Sequence, residues 1–226
     1  MESKFDRTIG LIGKETFNKL QDKTIAVFGL GGVGGTALES LARSGVEKFV
    51  IIDFDKVAES NLNRQILYTE KDIGAFKTEV AERRIKQINN NAKISAICSK
   101  ISTNLGDLLK NLHIDFIVDA IDDVNGKIEI IKYAQKMNIP FIISLGMANR
   151  VDPSKVFITK LDKTTDDPLA KKMRYTIRKC GLNTKEINCV FSKEHPTIDG
   201  AKLNSMMMVP SSAGLNICSF VIEYFK

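Results

Sequence analysis

The chain has 226 residues, with 33 Lys and Arg against 27 Asp and Glu, a formal net charge of +6. That length buries a full core and suits one α/β domain spanning 1–226. The run Met1-Glu2-Ser3-Lys4-Phe5-Asp6-Arg7 has no apolar h-region, and Cys98, Cys180, Cys189 and Cys218 form no C-x-x-C pair. Neither a signal peptide nor a zinc site is therefore expected, and reduced thiols in a cytoplasmic protein are.

The first element the pattern predicts is a strand, Thr24 to Phe28, followed at once by Gly29-Leu30-Gly31-Gly32-Val33-Gly34 and a helix from Val33 to Ser44. In this G-x-G-x-x-G order Gly29 permits the tight turn, Gly31 lets the backbone approach phosphates, and Gly34 lets the helix pack close to the strand. Gly29, Gly31, Gly32 and Gly34 are the candidate phosphate-binding positions, because a helix N-terminus offers free N–H groups to an anion. Gly45 closes the helix, Lys48 to Ile52 forms the second strand, and Asp53 falls at its carboxyl end, where a carboxylate accepts from ribose hydroxyls.

Asn61-Leu62-Asn63-Arg64-Gln65 comes next, and then Lys77 near the start of a helix expected over Gly74 to Asn89. Asn61, Arg64 and Lys77 lie on the glycine-loop side of the sheet by the switch-point rule. Arg64 forks to phosphate oxygens, and Lys77 supplies a point charge. Further elements follow: a strand Lys93 to Cys98, a helix Thr103 to Leu112, a strand Asp115 to Ala120, a helix Val124 to Met137 and a strand Pro140 to Leu145. Asp122 follows the fourth strand and reads as a Mg²⁺ ligand beside a triphosphate. Asp123 is better placed to cap the next helix, and Asp119 reads as a buried structural group. His113 and His195 form no legible pair and read as non-catalytic. Together these residues indicate ATP held for chemistry on its phosphates.

Beyond Gly146, strands over Lys155 to Leu161 and Glu186 to Ser192 flank a basic helix. Residues 160–193 hold nine Lys and Arg against four Asp and Glu, a local net of +5. Lys171, Arg174 and Arg178 share a face at helical spacing, opposite Leu169, Met173 and Ile177. Such a face is either merely soluble or a nucleic-acid contact. Met206 to Phe225 is too polar for a membrane span, holding Pro210, Ser211, Ser212, Asn216 and Glu223, so a packed helix from about Ser211 is expected. The fold class is α/β: a Rossmann-like, doubly wound, mainly parallel sheet with a C-terminal strand/helix extension.

The glycine motif, Asp53-Phe54-Asp55-Lys56-Val57, Ser60-Asn61-Leu62-Asn63-Arg64-Gln65 and Gly74-Ala75-Phe76-Lys77 together resemble the ThiF/MoeB superfamily of ubiquitin-activating-enzyme-like adenylating proteins. The second half resembles its tRNA threonylcarbamoyladenosine dehydratase branch through Gly146-Met147-Ala148, Arg150-Val151-Asp152-Pro153, Lys163 to Leu169 and Cys189-Val190-Phe191-Ser192. That resemblance implies an enzyme using ATP and Mg²⁺ to adenylate and cyclise a carboxylate on tRNA. Asp53 would hold the ribose, Asn61, Arg64 and Lys77 the phosphates, and Asp122 the Mg²⁺. It also implies a homodimer, with Arg7 entering the neighbouring subunit's ATP site, and leaves room for a sulfur-transfer protein as a further partner. The alternatives are activation of a ubiquitin-like sulfur carrier, which the missing C-x-x-C pairs disfavour, an NAD-dependent oxidoreductase, which has no evident need of Asn61, Arg64 and Lys77, and a non-catalytic nucleotide-binding scaffold.

Overall fold

The computed structural model describes residues 3–103, 105–196 and 203–226. Its strands are β1 (Thr24–Phe28), β2 (Lys48–Ile52), β3 (Lys93–Ile97), β4 (Phe116–Asp119), β5 (Phe141–Ser144), β6 (Val156–Lys160) and β7 (Asn188–Ser192). They form one sheet in the order β3-β2-β1-β4-β5-β7-β6. Every pairing is parallel except that of β6 with β7. β1 pairs with β2 on one side and β4 on the other, so the winding reverses there and opens a crevice at the carboxyl ends.

The helices are α1 (Asp6–Ile12), α2 (Lys14–Asp22), α3 (Gly32–Arg43), α4 (Lys77–Ile88), α5 (Leu105–Leu108), α6 (Val124–Lys136), α7 (Pro168–Lys179) and α8 (Met208–Phe225). Alternation along β1 divides the core: Ile25 and Val27 pack among α3, α4 and α8, while Ala26 and Phe28 pack among α5 and α6. A third cluster joins Ile143 and Phe191 to Ile128 of α6 and to Met173 and Ile177 of α7.

Several boundaries differ from expectation for local reasons. Before β1, residues 6–22 form α1 and α2, two short helices joined at Gly13 and held by the Phe5 and Phe17 rings, 5.3 Å apart. The helix expected from Gly74 starts at Lys77, because Gly74 turns at φ +89 and Phe76 bridges Lys56. The helix expected over Thr103 to Leu112 shrinks to α5, with Asn104 outside the described residues. α8 begins at Met208 rather than Ser211 and packs along α3. A Cβ on Gly214 would lie 2.6 Å from the Val33 carbonyl oxygen, so glycine lets the two backbones meet. No helix among the described residues is long and apolar enough to cross a membrane.

Carboxylates, two buried and one half-buried, tie the layers together. Glu39 of α3 pairs with Arg43 at 2.7 Å and with Arg84 of α4 at 3.0 Å. Asp72 pairs with Arg83, and Asp115 takes Lys23 and the Thr24 N–H, both at 2.9 Å. Burial pushes all three carboxyls up, but their hydrogen bonds and cations outweigh it and hold them below the ordinary values of 4.5 for Glu and 3.8 for Asp. A lowered folded pKa means stability that is complete above the unfolded value and lost as pH falls through the folded one. Urea unfolding should therefore show stability declining as pH drops below 4.5 through Glu39 and more steeply below 3.8 through Asp72 and Asp115, with a shallower decline in Glu39→Gln.

Candidate active site

The glycine turn is built by contacts that exclude a side chain. Gly29 turns at φ +84, where a Cβ would come within 2.8 Å of the Ala120 carbonyl oxygen. A Cβ on Gly34 would sit 1.9 Å from the Gly29 oxygen, so α3 starts hard against β1. The turn is then fastened to β2. Asp53, 8% exposed, accepts the Leu30 N–H at 2.7 Å through Oδ2 and the Asp55 N–H at 2.8 Å through Oδ1. The Tyr68 hydroxyl donates to the Leu30 oxygen at 2.8 Å. Burial, with the charges of Asp53, Asp55 and Asp72, pushes that hydroxyl far above its ordinary range, so it stays a donor.

Above the turn lies a cleft of about 750 Å³. Gly29, Gly31, Gly32, Asp53, Asn61, Arg64, Lys77 and Asp122 all line it, so residues separated by up to 93 positions meet around one cavity. Asn61 Oδ1 accepts the Ala58 N–H at 3.0 Å, which leaves its amide NH₂ as the group to offer a ligand. Arg64 Nη1 donates to the Ser60 oxygen at 2.7 Å and to Asn63 Oδ1 at 3.0 Å, leaving the rest of the guanidinium for an anion. Lys77, 5% exposed, holds Asp55 at 2.8 Å. Asp122 is exposed and makes no hydrogen bond or ion pair among the described residues. Among those residues no three His, Cys, Asp or Glu groups are arranged to hold a metal ion by themselves. A lone free carboxylate suits Mg²⁺, which takes its remaining ligands from phosphates and water.

Asp123 caps α6, accepting the Gly126 N–H at 2.7 Å. Asp119 is wholly buried with Lys127 at 3.0 Å, a cation that sequence reasoning missed. Burial raises the Asp119 carboxyl, and Lys127 opposes the rise. A carboxylate in an apolar strand was the available signal, since a buried charge needs a partner. Arg150 is the second omission. It is 4% exposed and donates to the carbonyls of Glu194 at 3.0 Å, Gly146 at 2.8 Å and Ala148 at 3.1 Å, while Nη2 stands 3.8 Å from Asp167. It thereby ties the cleft-lining residues 146–150 to Asp167, which also lines the cleft, and to Glu194.

Other expected residues fall elsewhere. Gly34 acts by packing and does not line the cleft. Arg7 is exposed on α1, away from the lining residues of its own chain. Arg174 does not share the outward face of α7: its Nη1 donates to the Thr164 oxygen at 2.9 Å and to the Thr164 hydroxyl, whereas Lys171 and Arg178 are exposed. Cys189 is buried, and burial foremost pushes its thiol up to about 12, so it is no nucleophile near neutral pH.

Comparison with known proteins gives the family. Residues 5–195 match the model of the ThiF family, and the chain belongs to that family. It is 35% identical over 223 residues to the tRNA threonylcarbamoyladenosine dehydratase of Bacillus subtilis (strain 168), covering 94% of this chain and 87% of the relative. The enzyme of that name from Escherichia coli (strain K12) is 33% identical over 206 residues, covering 87% and 77%. A crystal structure of E. coli tRNA N6-threonylcarbamoyladenosine dehydratase in complex with ATP superposes with a TM-score of 0.93 at 32% identity, over 98% of this chain and 93% of that one.

The buried pair under the cleft yields a stability test. Lys127→Met should cost about 3–5 kcal/mol in chemical denaturation, because it strands the Asp119 charge. Adding Asp119→Asn should recover much of that loss.

Proposed function

We propose that this ThiF-family chain is an ATP-dependent enzyme that adenylates the carboxylate of threonylcarbamoyladenosine beside the tRNA anticodon and closes it to the cyclic form. The observation that carries the reading is the single cleft in which a glycine turn, a carboxylate at the end of β2, two cations, an amide and a free aspartate converge.

Each group has a task there. Asp53 spends one lone pair per oxygen on backbone N–H groups and keeps the others for ribose hydroxyls. The first N–H groups of α3 face the phosphates. Arg64 and the Asn61 amide neutralise and orient them, and Lys77 uses the donors that Asp55 leaves free. Asp122 would hold Mg²⁺, which would supply a hard cation to neutralise phosphate charge. The substrate carboxylate attacks the α-phosphate, and pyrophosphate leaves. A neighbouring atom of the same group then closes on the activated carbonyl, AMP departs, and the net loss is one water. Ring closure is intramolecular, so positioning supplies much of the acceleration.

Two features extend the reading to an assembly. Arg7, exposed on α1 and unused by its own cleft, is offered to a second copy, which makes the enzyme a homodimer. Lys171 and Arg178 are offered to tRNA phosphates. Arg174 is withdrawn from that set by Thr164.

The deciding experiment incubates the protein with ATP, Mg²⁺ and tRNA from cells lacking this activity, and weighs the digested nucleosides. An ATP-dependent loss of one water is expected. Pyrophosphate exchange that needs a ubiquitin-like protein and ignores tRNA would overturn the assignment. In the same assay Asp122→Ala should lose about 10²-fold or more in rate, the scale of removing one transition-state electrostatic contact.

A further inference from the structure

α7 carries one more feature that its own stability does not explain. Lys171, Lys172, Tyr175, Arg178 and Lys179 are all exposed, at spacings i, i+1, i+4, i+7 and i+8. On a 3.6-residue period these positions make one continuous stripe, opposite the buried Ala170, Met173 and Ile177. At its centre Tyr175 is 62% exposed, with the Lys179 ammonium 5.2 Å from the ring centroid.

Helix energetics account for only part of this. Arg178 and Lys179 in the last turn suit the helix dipole, but Lys171 and Lys172 stand near its positive end, where anions are favoured, and the first turn holds no acidic residue. Among the described residues none of the four cations makes an ion pair. The stripe also begins beside the cleft, since the exposed Pro168 at the start of α7 lines it. Tyr175 lies seven residues beyond Pro168, about 10 Å along the axis.

We infer that the outer face of α7 is a track for single-stranded RNA, on which Tyr175 stacks an unpaired base of the substrate loop while Lys171, Lys172, Arg178 and Lys179 follow its backbone. An aromatic face among cations is the arrangement that grips unpaired nucleotides, because every base has a π-face and a paired stem hides it. With stacked bases about 3.4 Å apart, the captured base sits two or three positions from the nucleotide in the cleft. This inference rests on the tRNA reading above and adds to it the part of the RNA that is held.

The test measures binding of an anticodon stem-loop hairpin and of a fully paired RNA duplex by fluorescence anisotropy over a range of salt concentrations. Tyr175→Ala should weaken hairpin binding about tenfold, leaving the duplex affinity and the salt slope unchanged. Tyr175→Phe should bind as wild type does, because stacking needs the ring and not the hydroxyl. The double variant Lys171→Gln/Lys179→Gln should lower the salt slope by about one to two. Unchanged hairpin affinity in Tyr175→Ala, equal loss on hairpin and duplex, or preference for anionic lipid vesicles over the hairpin would each overturn the inference. If such a protein still dehydrates tRNA, only the track falls. If wild type neither binds the hairpin nor dehydrates tRNA, the functional reading falls with it.

Discussion

The cleft depends on one carboxylate placed between two strands. Asp53 closes β2 and, through its two oxygens, holds the backbone of Leu30 after β1 and of Asp55 in its own loop. That fixes where the glycine turn stands relative to the segment bringing in Asn61, Arg64 and Lys77. The alternative, a turn free to drift, would leave the helix terminus aimed at no defined point.

The cations around the cavity are held by groups weak enough to share. Lys77 is committed to Asp55 but has two further protons, and Arg64 uses one nitrogen on a carbonyl and an amide. Their positions are set before a nucleotide arrives, which spares the entropy of gathering them. Lys127 and Asp119 contribute differently. Their contact at zero exposure locks β4 to α6, so that the exposed Asp122 between them projects from a rigid corner.

Much of this was legible because its signals are local. The strand, glycine turn, helix, second strand and Asp53 follow one another within 30 residues, and period and turn chemistry suffice to read them. Asp123 as a cap was legible for the same reason. The omissions are non-local. Lys127 sits on a helix at a position that looks solvated until Asp119 is placed beneath it, and Arg150 means little until Glu194 and Asp167 arrive from 44 and 17 residues away. Arg174 has the right spacing for an outward face, yet a nearby turn takes its guanidinium. Strand order escaped as well: β7 enters between β5 and β6, a choice made by pairing and not by sequence neighbourhood. α1 and α2 are too short for periodicity to show.

The contact of α8 with α3 has a consequence for biosynthesis. Thr36 and Ser211 meet at 3.4 Å although 175 residues separate them, and Pro210 forms part of the cleft rim. While the chain is still emerging from the ribosome, the early βαβ unit therefore carries an uncovered apolar helix flank and an incomplete rim. Such a nascent intermediate is prone to clumping until α8 arrives, the hazard that chaperones exist to manage. Late closure also keeps half-made polypeptide from holding a nucleotide in the finished geometry.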